Sequence, residues 1–323
     1  MSILFNPSRV HVELSSKCTL KCPRCPRTEV RPENLNQDFS LADFKTAFDT
    51  ATLFQLEYML FCGDIGDPIY NKEFLDICRY AKTTSPGLNL EIVTNGSYKT
   101  EDWWKELASI LNCNDYVTFS VDGWDQESNE KYRVNSDFDS ILLGIKTLNE
   151  HSRCKTKWST IIFSFNEFEL EKIKSVAASH GVEQFITVDS TKFGPNYEVN
   201  GVDPLMPTKI SDQIYEQKIT LFMPNKTTKV FEISPQKNRT PVHDWARCLN
   251  NEKELFINVE GYLFPCPWFN SAYLENSFVQ KYKEQLNVKE RSMLEILRDP
   301  LWEELYTMFT VAPLEICRMK CVR

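Results

Sequence analysis

The sequence predicts an α/β protein: an open, partial (β/α)6 barrel followed by a small C-terminal α+β domain. Three observations predict it. Apolar, strand-like segments alternate with amphipathic helical ones from residue 9 to about 195. Loops bearing Gly, Asn, Asp and Cys recur at the ends of those strands. The pattern then changes at about residue 246, where a hairpin, a helix and a cysteine-bearing tail replace the alternation. The expected domains are 1–200 for the barrel, 201–245 for a connector and 246–323 for the small domain.

Taken in order, the expected strands are Val10–Leu14, Tyr58–Cys62, Leu88–Thr94, Tyr116–Val121, Lys157–Ser164 and Gln184–Val188. The expected helices are Leu41–Phe54, Lys72–Lys82, Glu101–Leu111, Phe138–Asn149 and Glu167–His180. Ser40 precedes the first helix as an N-cap, with Asp43 in its first turn, and Gly181 follows the last as a C-cap. Alternation of this kind implies right-handed crossovers and a parallel sheet. Six units suit an open partial barrel better than a closed eight-stranded one, and in either the chemistry sits at the C-terminal ends of the strands. Five prolines, Pro204, Pro207, Pro224, Pro235 and Pro241, break up the connector, where Lys229–Ile233 is the expected strand. Beyond it, Leu255–Val259 and Tyr262–Phe264 read as a hairpin turning at Glu260-Gly261, and Met293–Thr307 as a helix.

Composition narrows the function classes. The formal net charge is −8 and no basic stripe is present, which argues against nucleic-acid binding. No apolar run approaches a membrane span, and residues 1–7 lack the features of a signal peptide, so a cytoplasmic location and no membrane partner are expected. Eleven cysteines in such a chain point to reduced thiols and metal sites rather than disulfides. Cys62, Cys78, Cys113 and Cys154 are scattered singly and read as small buried hydrophobes.

The other seven cysteines form two sets. Cys18, Cys22 and Cys25 make a C-x3-C-x2-C pattern directly after the first strand. Three thiolates so close together suit three irons of a cubane iron–sulfur cluster, leaving one iron open to bind a small molecule; the usual number of cysteines is four. Zinc is the competing ligand, although structural zinc sites favour paired cysteines and fill all four positions. Cys248, Cys266, Cys317 and Cys321 form the second set, with Cys266 closing a G-x4-C run from Gly261. By count, these four suit either a closed cluster or a structural zinc.

The first set resembles the ligand motif of the radical S-adenosylmethionine (SAM) superfamily, and the resemblance continues along the chain. Gly66-Asp67-Pro68, one strand later, looks like the family's Gly-Glu-Pro loop with Asp in place of Glu. Thr94-Asn95-Gly96 and Ser120-Val121-Asp122-Gly123, with Arg133 ten residues on, resemble later barrel edges. The resemblance implies that Gly66 and Asp67 meet the methionine amino group of SAM. It implies that Asn95 hydrogen-bonds SAM or orients its loop, that Ser120 and Asp122 line the pocket, and that Arg133 pairs with its carboxylate. Arg24 departs from the pattern, because the family usually has an aromatic residue just before the third cysteine. The C-terminal set looks like a Twitch domain, the shorter relative of the SPASM domain, and implies a second, auxiliary [4Fe–4S] cluster.

The implied activity is that of the family: reductive cleavage of SAM to a 5′-deoxyadenosyl radical, which abstracts a hydrogen atom from substrate. An auxiliary cluster would favour a net oxidation, and an electron donor such as a flavodoxin or ferredoxin is implied. The cluster motif begins at residue 18, leaving no room before it for a peptide-recognition domain. A small molecule such as a sugar or nucleotide derivative is therefore the expected substrate, with peptide or protein modification (maturase or sulfatase-maturase type) as the alternative. Asp64 and Asp189 are acid–base candidates by position alone. A non-catalytic metal scaffold is the rival from another class, but a scaffold has no need of the barrel-edge motifs.

Overall fold

The computed structural model describes residues 8–29, 35–189, 203–208, 217–222, 228–233, 254–270 and 281–311. Its first half runs β1 (Arg9–Val12), α1 (Pro26–Glu29), α2 (Leu41–Ala47), α3 (Thr50–Gln55), β2 (Tyr58–Phe61), α4 (Phe74–Thr84), β3 (Asn89–Thr94) and α5 (Glu101–Ile110). There follow β4 (Tyr116–Ser120), α6 (Gln126–Glu130), α7 (Phe138–His151), β5 (Lys155–Ile161), α8 (Leu170–Ser179) and β6 (Gln184–Val188). The last elements are β7 (Gln217–Phe222), β8 (Thr228–Ile233), β9 (Leu255–Ile257), β10 (Leu263–Phe264), α9 (Met293–Leu297) and α10 (Pro300–Val311). The described residues cluster into two compact units, one within 1–18, 30–91 and 240–323, the other within 19–29 and 92–239.

In the first unit, β1 is central. It pairs in parallel with β2, Val10 opposite Met59, and in parallel with β9, His11 opposite Phe256. β10 closes the expected hairpin against β9 in antiparallel register. Gly261 takes the positive φ of the turn, +94°, and its amide donates to the Asn258 carbonyl at 2.9 Å. The core is aromatic: Phe44 of α2 meets Phe48 at 4.7 Å and Phe61 of β2 at 6.1 Å, and Phe61 meets Phe74 of α4 at 6.0 Å. The buried apolar residues of α4, Phe74, Ile77, Cys78 and Ala81, fall at the helical spacing that one apolar face requires.

In the second unit, β4, β5 and β6 run parallel, and β7 and β8 extend them antiparallel. Strict alternation of burial along β5 shows one covered face and one half-covered. α5 and α7 pack together where Gly144 admits the Trp104 ring, since a Cβ there would lie 2.6 Å from it. Trp104 in turn meets Phe119 of β4 at 5.5 Å.

The α/β class, the parallel strands and the open sheet stand as the sequence predicts, and among the described residues neither unit's strands close into a ring. Several details differ. The expected helix Leu41–Phe54 is two, because Asp49 caps a fresh start by accepting the Thr52 amide at 2.8 Å. Met293–Thr307 is likewise split, with Pro300 opening α10. The helix expected from Glu167 begins at Leu170, because the Asn166 side chain accepts the Phe163 amide at 2.7 Å and turns the chain first. Strand β7 and the parallel pairing of β9 with β1 have no counterpart in the sequence reading.

Candidate metal centre and cofactor loops

Within the first unit, β1 leads through buried Ser15 and Ser16 to Lys17 and Cys18. Ser15 donates to Asp38 at 2.7 Å and Lys17 forms an ion pair with the same carboxylate, which fixes the strand's exit. The loop after β2 is built onto this exit. Gly66 lies so close that a Cβ would sit 1.9 Å from the Ser15 carbonyl, and a Cβ on Gly63 would sit 2.1 Å from the Gly66 carbonyl. The Asp67 amide donates to the Lys17 carbonyl at 2.8 Å, one residue before Cys18. The Asp67 carboxylate is buried and accepts the Ile69 amide at 3.2 Å, capping a 3-10 turn over Pro68–Tyr70. Gly66 and Asp67 are thus placed by backbone packing beside the residue that leads into Cys18.

Glu13 holds the same loop from beneath. Its Oε1 accepts the amides of Asp64 and Ile65, both at 2.8 Å. Burial, with Asp64 adding to it, pushes the Glu13 carboxyl up to about 7. On β1, His11 is kept neutral by burial, and its Nε2 donates to the Cys62 carbonyl at 2.7 Å. Burial, reinforced by Asp67, Asp64 and Glu13, also pushes the Cys62 thiol up, so that it stays protonated. Asp64 serves the loop through its amide.

Within the second unit, the rest of the cysteine loop is sewn to the segment carrying Arg133. The Lys21 amide donates to the Val134 carbonyl at 3.0 Å and the Asn135 side chain donates to the Thr19 carbonyl at 2.7 Å. Cys22 is buried and Cys25 half-buried, and the Cys25 carbonyl accepts the first amides of α1, from Thr28 and Glu29. Arg133 donates from Nε to Asp122 at 2.6 Å, and the other Asp122 oxygen accepts the Ile161 amide at 2.7 Å. Burial alone would lower the Arg133 pKa, but Asp122 and then Cys22 outweigh it and raise it, so the guanidinium stays charged.

Asn129 organises the turn after β4. Its Oδ1 accepts the Asp122 amide at 2.9 Å and the Gly123 amide at 3.2 Å, and a Cβ on Gly123 would strike the Asn129 backbone at 2.2 Å. Ser120 is half-buried at the end of β4, opposite Ser159. After β3, buried Asn95 accepts the Ser97 amide at 2.9 Å and so shapes the turn at Gly96, whose φ is +72°. Asp189 follows β6, half-buried.

Of the C-terminal set, Cys266 is buried just past β10, its carbonyl accepting the Phe269 amide at 3.1 Å. Cys248, Cys317 and Cys321 lie outside the described residues. The roles of Glu13 and Asn129 escaped the sequence reading; a lone carboxylate inside the apolar run Val10–Leu14 is the one signal that pointed to Glu13.

The donor set fits an iron–sulfur cluster. Residues 18–25 contain three thiols and no histidine or carboxylate, the all-sulfur chemistry such clusters take. Arg133, which stays charged, interacts electrostatically with Cys22. Among the described residues no three His, Cys, Asp or Glu side chains converge on a single metal ion. A cubane asks for no such convergence, since each thiolate takes its own iron.

Comparison with known proteins agrees with this chemistry. The chain is 27% identical, over 93% of its length and 82% of the relative's, to the tungsten-containing aldehyde ferredoxin oxidoreductase cofactor-modifying protein of Pyrococcus furiosus. It is 26% identical over 54% of its length to the mycofactocin maturase MftC of Mycolicibacterium smegmatis, spanning 43% of that protein. In fold it resembles SuiB of Streptococcus suis bound to S-adenosylmethionine, with a TM-score of 0.60 and 15% identity over 98% of this chain and 73% of that one. It also resembles anSMEcpe with bound AdoMet, with a TM-score of 0.56 and 14% identity over 92% of this chain and 79% of that one. Residues 12–177, just over half of the 323, match the family model of the radical SAM superfamily, and the chain belongs to that family of enzymes, which use a [4Fe–4S] cluster and S-adenosylmethionine.

Proposed function

We propose that this radical SAM enzyme modifies a peptide. The observation that carries the reading is the likeness to a maturase, MftC, over 54% of the chain. It outweighs the expectation of a sugar or nucleotide derivative, which rested only on where the cluster motif begins. A small-molecule substrate remains the second reading, favoured by the name of the relative matched over 93% of the chain, a cofactor-modifying protein.

When bound, the cluster and SAM supply one-electron cleavage to methionine and a 5′-deoxyadenosyl radical, the species that takes hydrogen from substrate. In this reading Cys18, Cys22 and Cys25 hold three irons. The backbone at Gly66 and Asp67 receives the amino group of SAM. Asp122 orients Arg133 through Nε, so that the terminal nitrogens are the ones offered to the SAM carboxylate. Asn95 shapes the turn after β3, and Ser120 at the end of β4 borders the cofactor with it. Cys248, Cys266, Cys317 and Cys321 hold an auxiliary cluster in a Twitch-type domain covering residues 246–323, and a flavodoxin or ferredoxin supplies the electron.

The test is 5′-deoxyadenosine formation by anaerobically reconstituted enzyme with SAM and dithionite, with and without a low-molecular-weight cell extract. Stimulation that disappears when the extract is first treated with protease supports a peptide. Stimulation that survives protease transfers the assignment to a small molecule.

A further inference from the structure

Cys22, Pro23, Arg24 and Cys25 form a tight turn, closed by the Cys25 amide donating to the Cys22 carbonyl at 3.3 Å. Proline at the second position and a positive φ at the third are the marks of a type II turn, whose third position favours glycine. Arginine stands there, with φ +64°. A left-handed backbone is unfavourable for a residue carrying a Cβ, so contacts outside the turn must hold it.

Those contacts are ionic. Arg24 donates from Nε to Asp203 at 2.8 Å, from Nη2 to the same oxygen, and from Nη1 to Glu29 at 3.3 Å. Both partners are largely covered, with side-chain exposures of 16% for Arg24 and 9% for Asp203, so water screens the pair weakly. Asp203 is itself fixed, its second oxygen accepting the Leu205 amide at 2.8 Å. Segment 203–208 is tied to the loop after β5: Ser164 donates its amide to Leu205 at 3.1 Å, and Thr208 donates its hydroxyl to Glu167 at 2.7 Å.

We propose that Arg24 is a positioning residue for the cluster: its ion pair with Asp203 clasps the turn between Cys22 and Cys25 onto segment 203–208 and sets how firmly those two thiolates hold iron. The proposal rests on Cys18, Cys22 and Cys25 being the cluster ligands. The retention of iron then depends on a segment about 180 residues away along the chain.

The experiment follows iron and sulfide in the anaerobically reconstituted full chain during challenge with an iron chelator. It compares wild type with Arg24→Gly, Arg24→Lys and Asp203→Asn. Glycine relaxes the turn but removes the clasp; asparagine keeps the acceptor for Leu205 but removes the charge. Both variants lose iron about fivefold faster than wild type, and Arg24→Lys, which keeps the charge, stays within about twofold of it. In the metal-free chain, the amides of residues 19–29 exchange faster with solvent in Arg24→Gly. Iron retention equal to wild type in either Arg24→Gly or Asp203→Asn overturns the proposal. Full iron loading of Cys22→Ala would instead overturn the assignment of the ligands, a separate result.

Discussion

Glu13 has no exposed surface, and among the described residues its Oε2 has no hydrogen-bond partner. Its folded carboxyl titrates at about 7 against an ordinary 4.5, chiefly through burial. A raised acid pKa stabilises the fold fully below the unfolded value, and that contribution is lost as pH rises through the folded one. The loss amounts to about 3 kcal/mol. Denaturant midpoints should therefore fall between roughly pH 5 and pH 8 in wild type, and the fall should flatten in Glu13→Gln, which cannot ionise. An identical slope in the variant would assign the pH dependence elsewhere. Asp122 and Arg133 make the opposite kind of pair, both charged and mutually satisfied. Arg133→Met removes the cation that faces the buried Asp122 carboxylate and should cost about 3 kcal/mol in unfolding experiments, of which Asp122→Asn in the same chain returns part. Full additivity of the two substitutions would show that they are not coupled.

At the scale of elements, the loop after β2 depends on contacts that only glycine permits. At Gly66 the obstructing atoms are the backbone of Ser15 and Ser16, which cannot swing aside as a side chain would. Gly66→Ala should therefore pull the Asp67 amide away from Lys17 and weaken SAM binding about tenfold or more, read by calorimetry on reconstituted protein. Gly87 is the control. A Cβ there meets nothing within 4 Å, so Gly87→Ala should bind SAM as wild type does and gain about 0.5 kcal/mol of stability by restricting the unfolded chain. Equal affinity in both variants would separate the loop from the cofactor.

For the whole molecule, the decisive quantity is the number of irons. Two cysteine sets holding one cubane each predict about eight irons per chain with matching sulfide, and about four for either Cys22→Ala or Cys266→Ala. About four irons in wild type, unchanged in Cys266→Ala, would remove the auxiliary cluster from the proposal. Among the described residues no helix is long and apolar enough to cross a membrane.

The sequence by itself determined the α/β class, the order of the first six strands and the cysteine loop, because each is written locally: in period, in spacing, and in turn residues such as Gly181 and Gly261. It also marked Asn95, Ser120 and Asp122, which lie at or just past the ends of β3 and β4, and Gly66 and Arg133, which lie in the segments after β2 and α6. Only the tertiary structure decided what those residues touch. Asp122 spends both oxygens on Ile161 and Arg133, and Asp67 caps its own turn, neither of which spacing along the chain can show. The pairing of β9 with β1 and the clasp of Arg24 with Asp203 join segments 245 and 179 residues apart. Such contacts are set by burial and charge in the folded chain, and local sequence carries no record of the partner.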